Sequence, residues 1–172
     1  PGTVLNTTTG ETYNTLTAAA QDLNDGDEVL VGAGQYTESK PEVTADDVTI
    51  RGVDGPTLTS DWLAANQGLV LSGDDIVVQN LTVRYEANPQ GGILADQNVV
   101  LVLGSGNELR GVTLDGVSHP SPPHQAGVLI FPGNSVSIAD STIKNNYYGI
   151  NNQGGSYQTS NVTFEDNNTN VA

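Results

Sequence analysis

Short runs in which every second residue is apolar recur along this chain, separated by Gly, Asn, Asp and Pro. Four of them can be written one above another: VQNLTVR (78–84), LRGVTLD (109–115), IADSTIK (138–144) and TSNVTFE (159–165), with a partial copy, IRGV, at 50–53. Ile50, Val78, Leu109, Ile138 and Thr159 head the first column. Val53, Leu81, Val112, Ser141 and Val162 stand three residues on, and Val83, Leu114, Ile143 and Phe164 two beyond that. The alternation marks these as inward positions of strands. Between the first two columns lie Gly52, Asn80, Gly111, Asp140 and Asn161, residue types that tolerate a left-handed backbone at little cost. The pattern predicts a sharp bend there, with the strand before it and the strand after it in different sheets.

The copies recur at intervals of 28, 31, 29 and 21 residues. Fixed columns at variable spacing describe one coil of about 21 residues that takes insertions in a loop. Coils stacked at roughly 4.8 Å, each bending at the same places, make a parallel β-helix. The outward column Arg84, Asp115, Lys144, Glu165 alternates in sign over four successive coils, which supports that register. From Ile143 to Ile150 and from Phe164 to Val171 is seven residues each. Asn145-Asn146 and Asn167-Asn168 are therefore expected in one turn, a coil apart, with their amides stacked.

The N-terminal end follows a different period. In YNTLTAAAQDLNDGD, Leu16, Ala19, Ala20 and Leu23 fall at helical spacing and Asp25-Gly26 closes the pattern. This predicts a capping helix at about 14–24 within an N-terminal cap of residues 1–28, followed by β-helix coils over 29–172. A helix over one end of a solenoid is what a capping element must supply. At the other end, DNNTNVA opens a new coil with no cap in view, so further chain or a partner is expected to cover it.

Charge narrows the setting. Twenty acidic residues face five basic ones, a net charge of −15. Nucleic-acid binding draws on clustered Lys and Arg and is excluded on that ground. No run of 18 apolar residues is present, so no membrane span is expected. The absence of cysteine rules out thiol chemistry and disulfide staples. An acid-rich, lysine-poor composition points to an extracellular or cell-surface protein of a salt-loving organism, haloarchaeal or viral, with an acidic mesophilic extracellular domain as the alternative. A start at Pro1 with no leader fits a processed or excised segment of an exported protein.

Residues 13–52, YNTLTAAAQDLNDGDEVLVGAGQYTESKPEVTADDVTIRG, resemble the N-terminal coil of pectinesterase-like and pectate-lyase-like right-handed β-helix proteins. STIKNNYYGI resembles the repeat of the NosD-like carbohydrate-binding and sugar-hydrolase β-helices. The resemblance spans most of residues 12–172 and, with the crossover rule for parallel strands, implies a right-handed coil. It does not extend to catalysis. The chain lacks a QDT stretch, an Asp-Phe-Ile-Phe-Gly segment and the Asp-His pair of the lyases. Three arginines on separate coils form no basic groove for a polyuronate.

Loops are the expected place for function. Leu114 to Val128 spans 14 residues and Val83 to Ile93 spans ten, so insertions leave the same turn on adjacent coils. Tyr85, Glu86, His119, His124, Tyr147 and Tyr148 are expected to converge there as a binding edge. His119, His124, Tyr147 and Tyr148 would serve as acid and base if the site were catalytic. Asp46, Asp47, Asp74 and Asp75 precede the first column by one offset and are candidates for Ca2+ or another hard cation, against solvated turn acids. Of the N-glycosylation sequons, those at Asn80 and Asn161 fall in the tight bend, which leaves Asn6, in NTT, as the candidate acceptor in an extracellular setting. Two function classes follow. One is a non-catalytic structural or adhesive surface module whose partners are copies of itself, other surface proteins or polysaccharide. The other is a divergent polysaccharide-active lyase, esterase or epimerase.

Overall fold

Alternation along the chain becomes strands stacked rung on rung. The computed structural model describes residues 2–61, 67–86, 97–117 and 125–172, and the chain is an all-β parallel solenoid of about five turns. It opens with an antiparallel pair, β1 (Val4–Asn6) and β2 (Thr12–Tyr13), and a short helix, α1 (Leu16–Ala20). The first rung is β3 (Glu28–Val31), β4 (Gln35–Glu38) and β5 (Glu42–Val43). The second is β6 (Thr49–Gly52), β7 (Thr57–Asp61) and β8 (Gln67–Leu71). The third is β9 (Val77–Gln79), β10 (Thr82–Glu86) and β11 (Asn98–Val102); the fourth is β12 (Asn107–Arg110), β13 (Thr113–Asp115) and β14 (Ala126–Ile130). Then come β15 (Ser135–Lys144) with β16 (Tyr148–Asn152), and β17 (Ser156–Glu165) with β18 (Thr169–Val171).

Three ladders result. The first runs β3, β6, β9, β12 and the start of β15; the second runs β4, β7, β10, β13 and the end of β15; the third runs β5, β8, β11, β14, β16, β18. The first two ladders join into one hydrogen-bonded sheet, because β15 and β17 continue through the corner at Asp140 (φ 50°) and Asn161 (φ 54°). The expected separation into different sheets is thus corrected in the last two rungs, where ten-residue strands turn the corner without breaking.

The predicted register holds. Ile50 pairs with Val78, Val78 with Leu109, Leu109 with Ile138 and Ile138 with Thr159. Val83, Leu114, Ile143 and Phe164 align likewise, as do Arg84, Asp115, Lys144 and Glu165. Most of the inward column residues are buried in one continuous core. Each contributes about 1.5–3 kcal/mol on leaving water. The first copy departs from the pattern: Val53 is 40% exposed, and the left-handed residues are Asp54 and Gly55 instead of Gly52. The alternating charges align but do not pair as neighbours, since Arg84 lies 3.8 Å from Glu86 and Asp115 accepts from the Asn145 amide.

The N-terminal end is closed by α1, shorter than 14–24. Thr15 caps it, its hydroxyl accepting from Ala18 N, and Leu16, Ala19 and Ala20 are buried. The chain leaves the helix at Gln21, and Asp27, accepting from Asn24 N, holds a turn where the helical spacing had suggested another helical turn. Leu23 still packs on the core. No helix among the described residues is long and apolar enough to cross a membrane.

The middle of the third ladder, β8, β11 and β14, is buried on both sides. Leu69, Val100, Val128 and Ile150 enter the main core, while Val70, Leu101, Ala126 and Leu129 form a second cluster, with Leu103, Phe131 and Tyr148 packed against it. Strands buried on two faces read as unbroken apolar runs, which GLVL, VVLVL and GVLIF are.

Candidate functional site

The corner between the second and third ladders is where the insertions leave. Glu86 ends β10 and is exposed; Tyr147 and Tyr148 sit where β16 begins. The tyrosine rings meet edge to face, centroids 4.8 Å apart at 89°. Tyr147 is held by its backbone, whose N–H donates to Gln125 Oε1 at 2.6 Å, and Tyr148 lies in register with Ala126. His119 and His124 lie outside the described residues.

Tyr85 does not belong to this edge. It is 0% exposed, because β10 runs to Glu86 and the two-residue period that buries Val83 carries Tyr85 inward as well. Asn6 is also corrected. It is 1% exposed, its amide donates to Asp27 at 2.8 Å and its oxygen accepts from Thr8 N and Thr9 N, so it folds the cap and presents no free acceptor for a glycan.

The paired acids have a mechanical task. Asp25, Asp46 and Asp74 each accept, through Oδ1, the backbone N–H one coil on: Asp46 N at 2.9 Å, Asp74 N at 2.8 Å and Ser105 N at 2.7 Å. Asp47 and Asp75 hold left-handed turns at φ 56° and 55°. Within each Asp-Asp pair, one residue therefore ties coils together and the other turns the chain. Among the described residues, no group of three or more His, Asp or Glu side chains is placed to hold a metal ion.

Amides do the same work at the opposite corner. Gln125 Nε2 donates to Asn146 Oδ1 at 2.7 Å, and Asn146 Nδ2 to Asn167 Oδ1 at 3.2 Å. The expected amide stack exists, shifted by one: Asn146 meets Asn167, and the left-handed turn residues one coil apart are Asn145 (φ 58°) and Asp166 (φ 51°). In the coil below, the left-handed residue is Val117 at φ 55°, although Asp115 pairs with Lys144 and so aligns Gly116 with Asn145. A β-branched residue in this region is strained by roughly 1–2 kcal/mol. Val117→Asn, which supplies the residue type used at Asn145, is expected to stabilise the chain by about 1 kcal/mol, read as a higher urea midpoint. An unchanged or lower midpoint would show that the Val117 side chain compensates its own strain.

Phenol acidity shifts elsewhere. Tyr13 is pushed up to about 12, first by its hydrogen bond to Glu11, and Tyr36 is raised by burial and then by the Glu38 charge. Compared with known protein families, curated proteins and solved structures, the chain matches none.

Proposed function

We propose that this chain is a non-catalytic, extracellular structural or adhesive β-solenoid module, related to the carbohydrate-binding β-helices and presenting its insertion corner to a glycan or protein partner. Its polar turn residues support the reading, because the carboxylates and amides described above are spent on coil-to-coil hydrogen bonds. The observation that carries it is the ladder of carboxylates, in which Asp25, Asp46 and Asp74 each accept the backbone N–H of the next coil, so that these acids serve the scaffold.

A net charge of −15 opposes association unless salt screens it. Sedimentation in about 1 M salt, where the Debye length is roughly 3 Å, should therefore show association between copies that is lost at about 0.01 M salt. A monomer at every salt concentration that also binds no polysaccharide would overturn the reading. Polysaccharide turnover lost in a His119→Ala/His124→Ala variant would replace it with the enzyme reading.

A further inference from the structure

One strip of the outer surface carries charges that do not neutralise one another. In the second ladder Arg84, Asp115, Lys144 and Glu165 stand in register on four successive rungs. Each follows an inward residue (Val83, Leu114, Ile143 or Phe164), so the four side chains project outward at intervals of roughly 4.8 Å. Opposite charges so spaced are expected to pair along the column, and they do not. Arg84 Nε lies 3.8 Å from Glu86 with no hydrogen-bond partner, and Asp115 Oδ1 accepts from Val117 N and the Asn145 amide. Among the described residues, neither Lys144 nor Glu165 enters an ion pair.

In a chain of net charge −15, this column sums to zero, so a second copy approaching it meets no local net repulsion. The order of the charges matters as well. Four alternating charges laid against their own reversed copy are complementary at every rung. Arg84 then faces Glu165 of the second copy, Asp115 faces Lys144, and both contacts recur by symmetry. The operation is a two-fold axis in the interface plane, parallel to the strands and crossing the ladder between Asp115 and Lys144. Laid in the same direction instead, the columns would set every charge on its like. Below Arg84 the column continues as Thr59 and Thr37, which carry no charge. Beside it runs a second uncharged column, Thr57, Thr82, Thr113, Thr142 and Thr163. The same axis sets Thr82 against Thr163 and Thr113 against Thr142, hydroxyls that both donate and accept.

We infer that the outer face of the second ladder is an interface between two copies of this chain, joined antiparallel about that axis by four ion pairs. This inference rests on the self-association in the reading above and names the surface that carries it.

A strip two columns wide is narrow, so a dissociation constant on the order of 0.1 mM is expected in about 1 M salt, where net repulsion is screened more than close pairs are. Sedimentation equilibrium of the full chain, at protein concentrations spanning that constant, reads it. Glu165→Lys separates pairing from net charge. It makes the chain less negative by two charges, which by itself favours association. Set against Arg84 of the second copy, it should instead weaken association about tenfold. Arg84→Glu/Glu165→Lys restores both the net charge and the complementarity, and should return the parent's constant. Glu165 is exposed and Arg84 partly so, and the urea midpoints of both variants should stay in place. The inference fails if Glu165→Lys associates as tightly as the parent or more tightly, or if the double variant stays weak. Either result with an associating parent leaves the structural reading in force and moves the contact to another face. A parent that stays monomeric in high salt yet binds polysaccharide overturns the inference alone; a monomer that binds none overturns both.

Discussion

Replacing Glu38 by Ala is expected to destabilise the chain by about 3 kcal/mol, an unfolding temperature lower by roughly 6–12 °C. The reason is the position of one carboxylate. Glu38 is the last residue of β4 and 0% exposed, and it accepts from Leu16 N at 2.8 Å, Thr17 N at 2.7 Å and the Thr17 hydroxyl. It therefore satisfies the first N–H groups of α1, which a helix cannot satisfy internally, and places negative charge at the helix start. Removal would leave two donors beneath the cap without partners. The hydroxyl of Thr17 would lose its acceptor as well, although it still accepts from Ser39 N at 3.0 Å. Glu38→Gln keeps one acceptor oxygen and should lose about half as much. A solenoid's stability is approximately a sum of rungs and interfaces, so the damage should begin at the capped end. Hydrogen exchange should show β3, β4 and β5 losing protection before β14 and β16 do. A Glu38→Ala variant with the parent's urea midpoint would mean that α1 does not close the solenoid.

Glu38 also shows where sequence patterning stops. The columns from Ile50 to Thr159 and from Val83 to Phe164 were legible because burial with period two and a left-handed corner constrain residue type at each position. The kind of contact made by Asn146 and Asn167 was legible too, since an amide is the side chain that both donates and accepts along a stack. Its offset was not, because which residue of the turn becomes left-handed depends on local backbone geometry. Tyr85 reads as a loop residue only if β10 stops at Arg84; two more residues of strand put the ring inside. For Asp46 and Asp74, the sequence shows acids in register and suggests repulsion. It does not show that each carboxylate meets a backbone N–H of the next coil, which binds the rungs instead of forcing them apart. The second apolar cluster was missed although its runs stand in plain view, because continuous apolar stretches do not report which face of a strand is covered.

Gly104 tests the closeness of the rungs directly. At the corner between the third and first ladders, single carbonyls serve two donors: Val43 O accepts from Ser72 N and Gly73 N, and one coil on Leu71 O accepts from Leu103 N and Gly104 N. The backbone is so compressed there that a Cβ on Gly104 would lie 2.0 Å from Gly73 O, and one on Gly73 would lie 2.2 Å from Ala45 O. The obstructing atom is main chain of the coil below and cannot rotate away. Gly104→Ala must then separate the coils by about 1 Å at this corner, weakening the Gly104 N–H bond and the Ser105 N to Asp74 bond beside it. A cost of about 3 kcal/mol is expected. Gly133→Ala separates this steric effect from backbone preference. Gly133 has φ 82° and open space around its missing Cβ, so its substitution should cost only the left-handed penalty of roughly 1–2 kcal/mol. The order of the two urea midpoints decides the matter. If Gly104→Ala is the milder change, the coils are less tightly stacked at this corner than the carbonyl contacts require, and the acid ladder at Asp25, Asp46 and Asp74 would have slack to bind something other than the next coil.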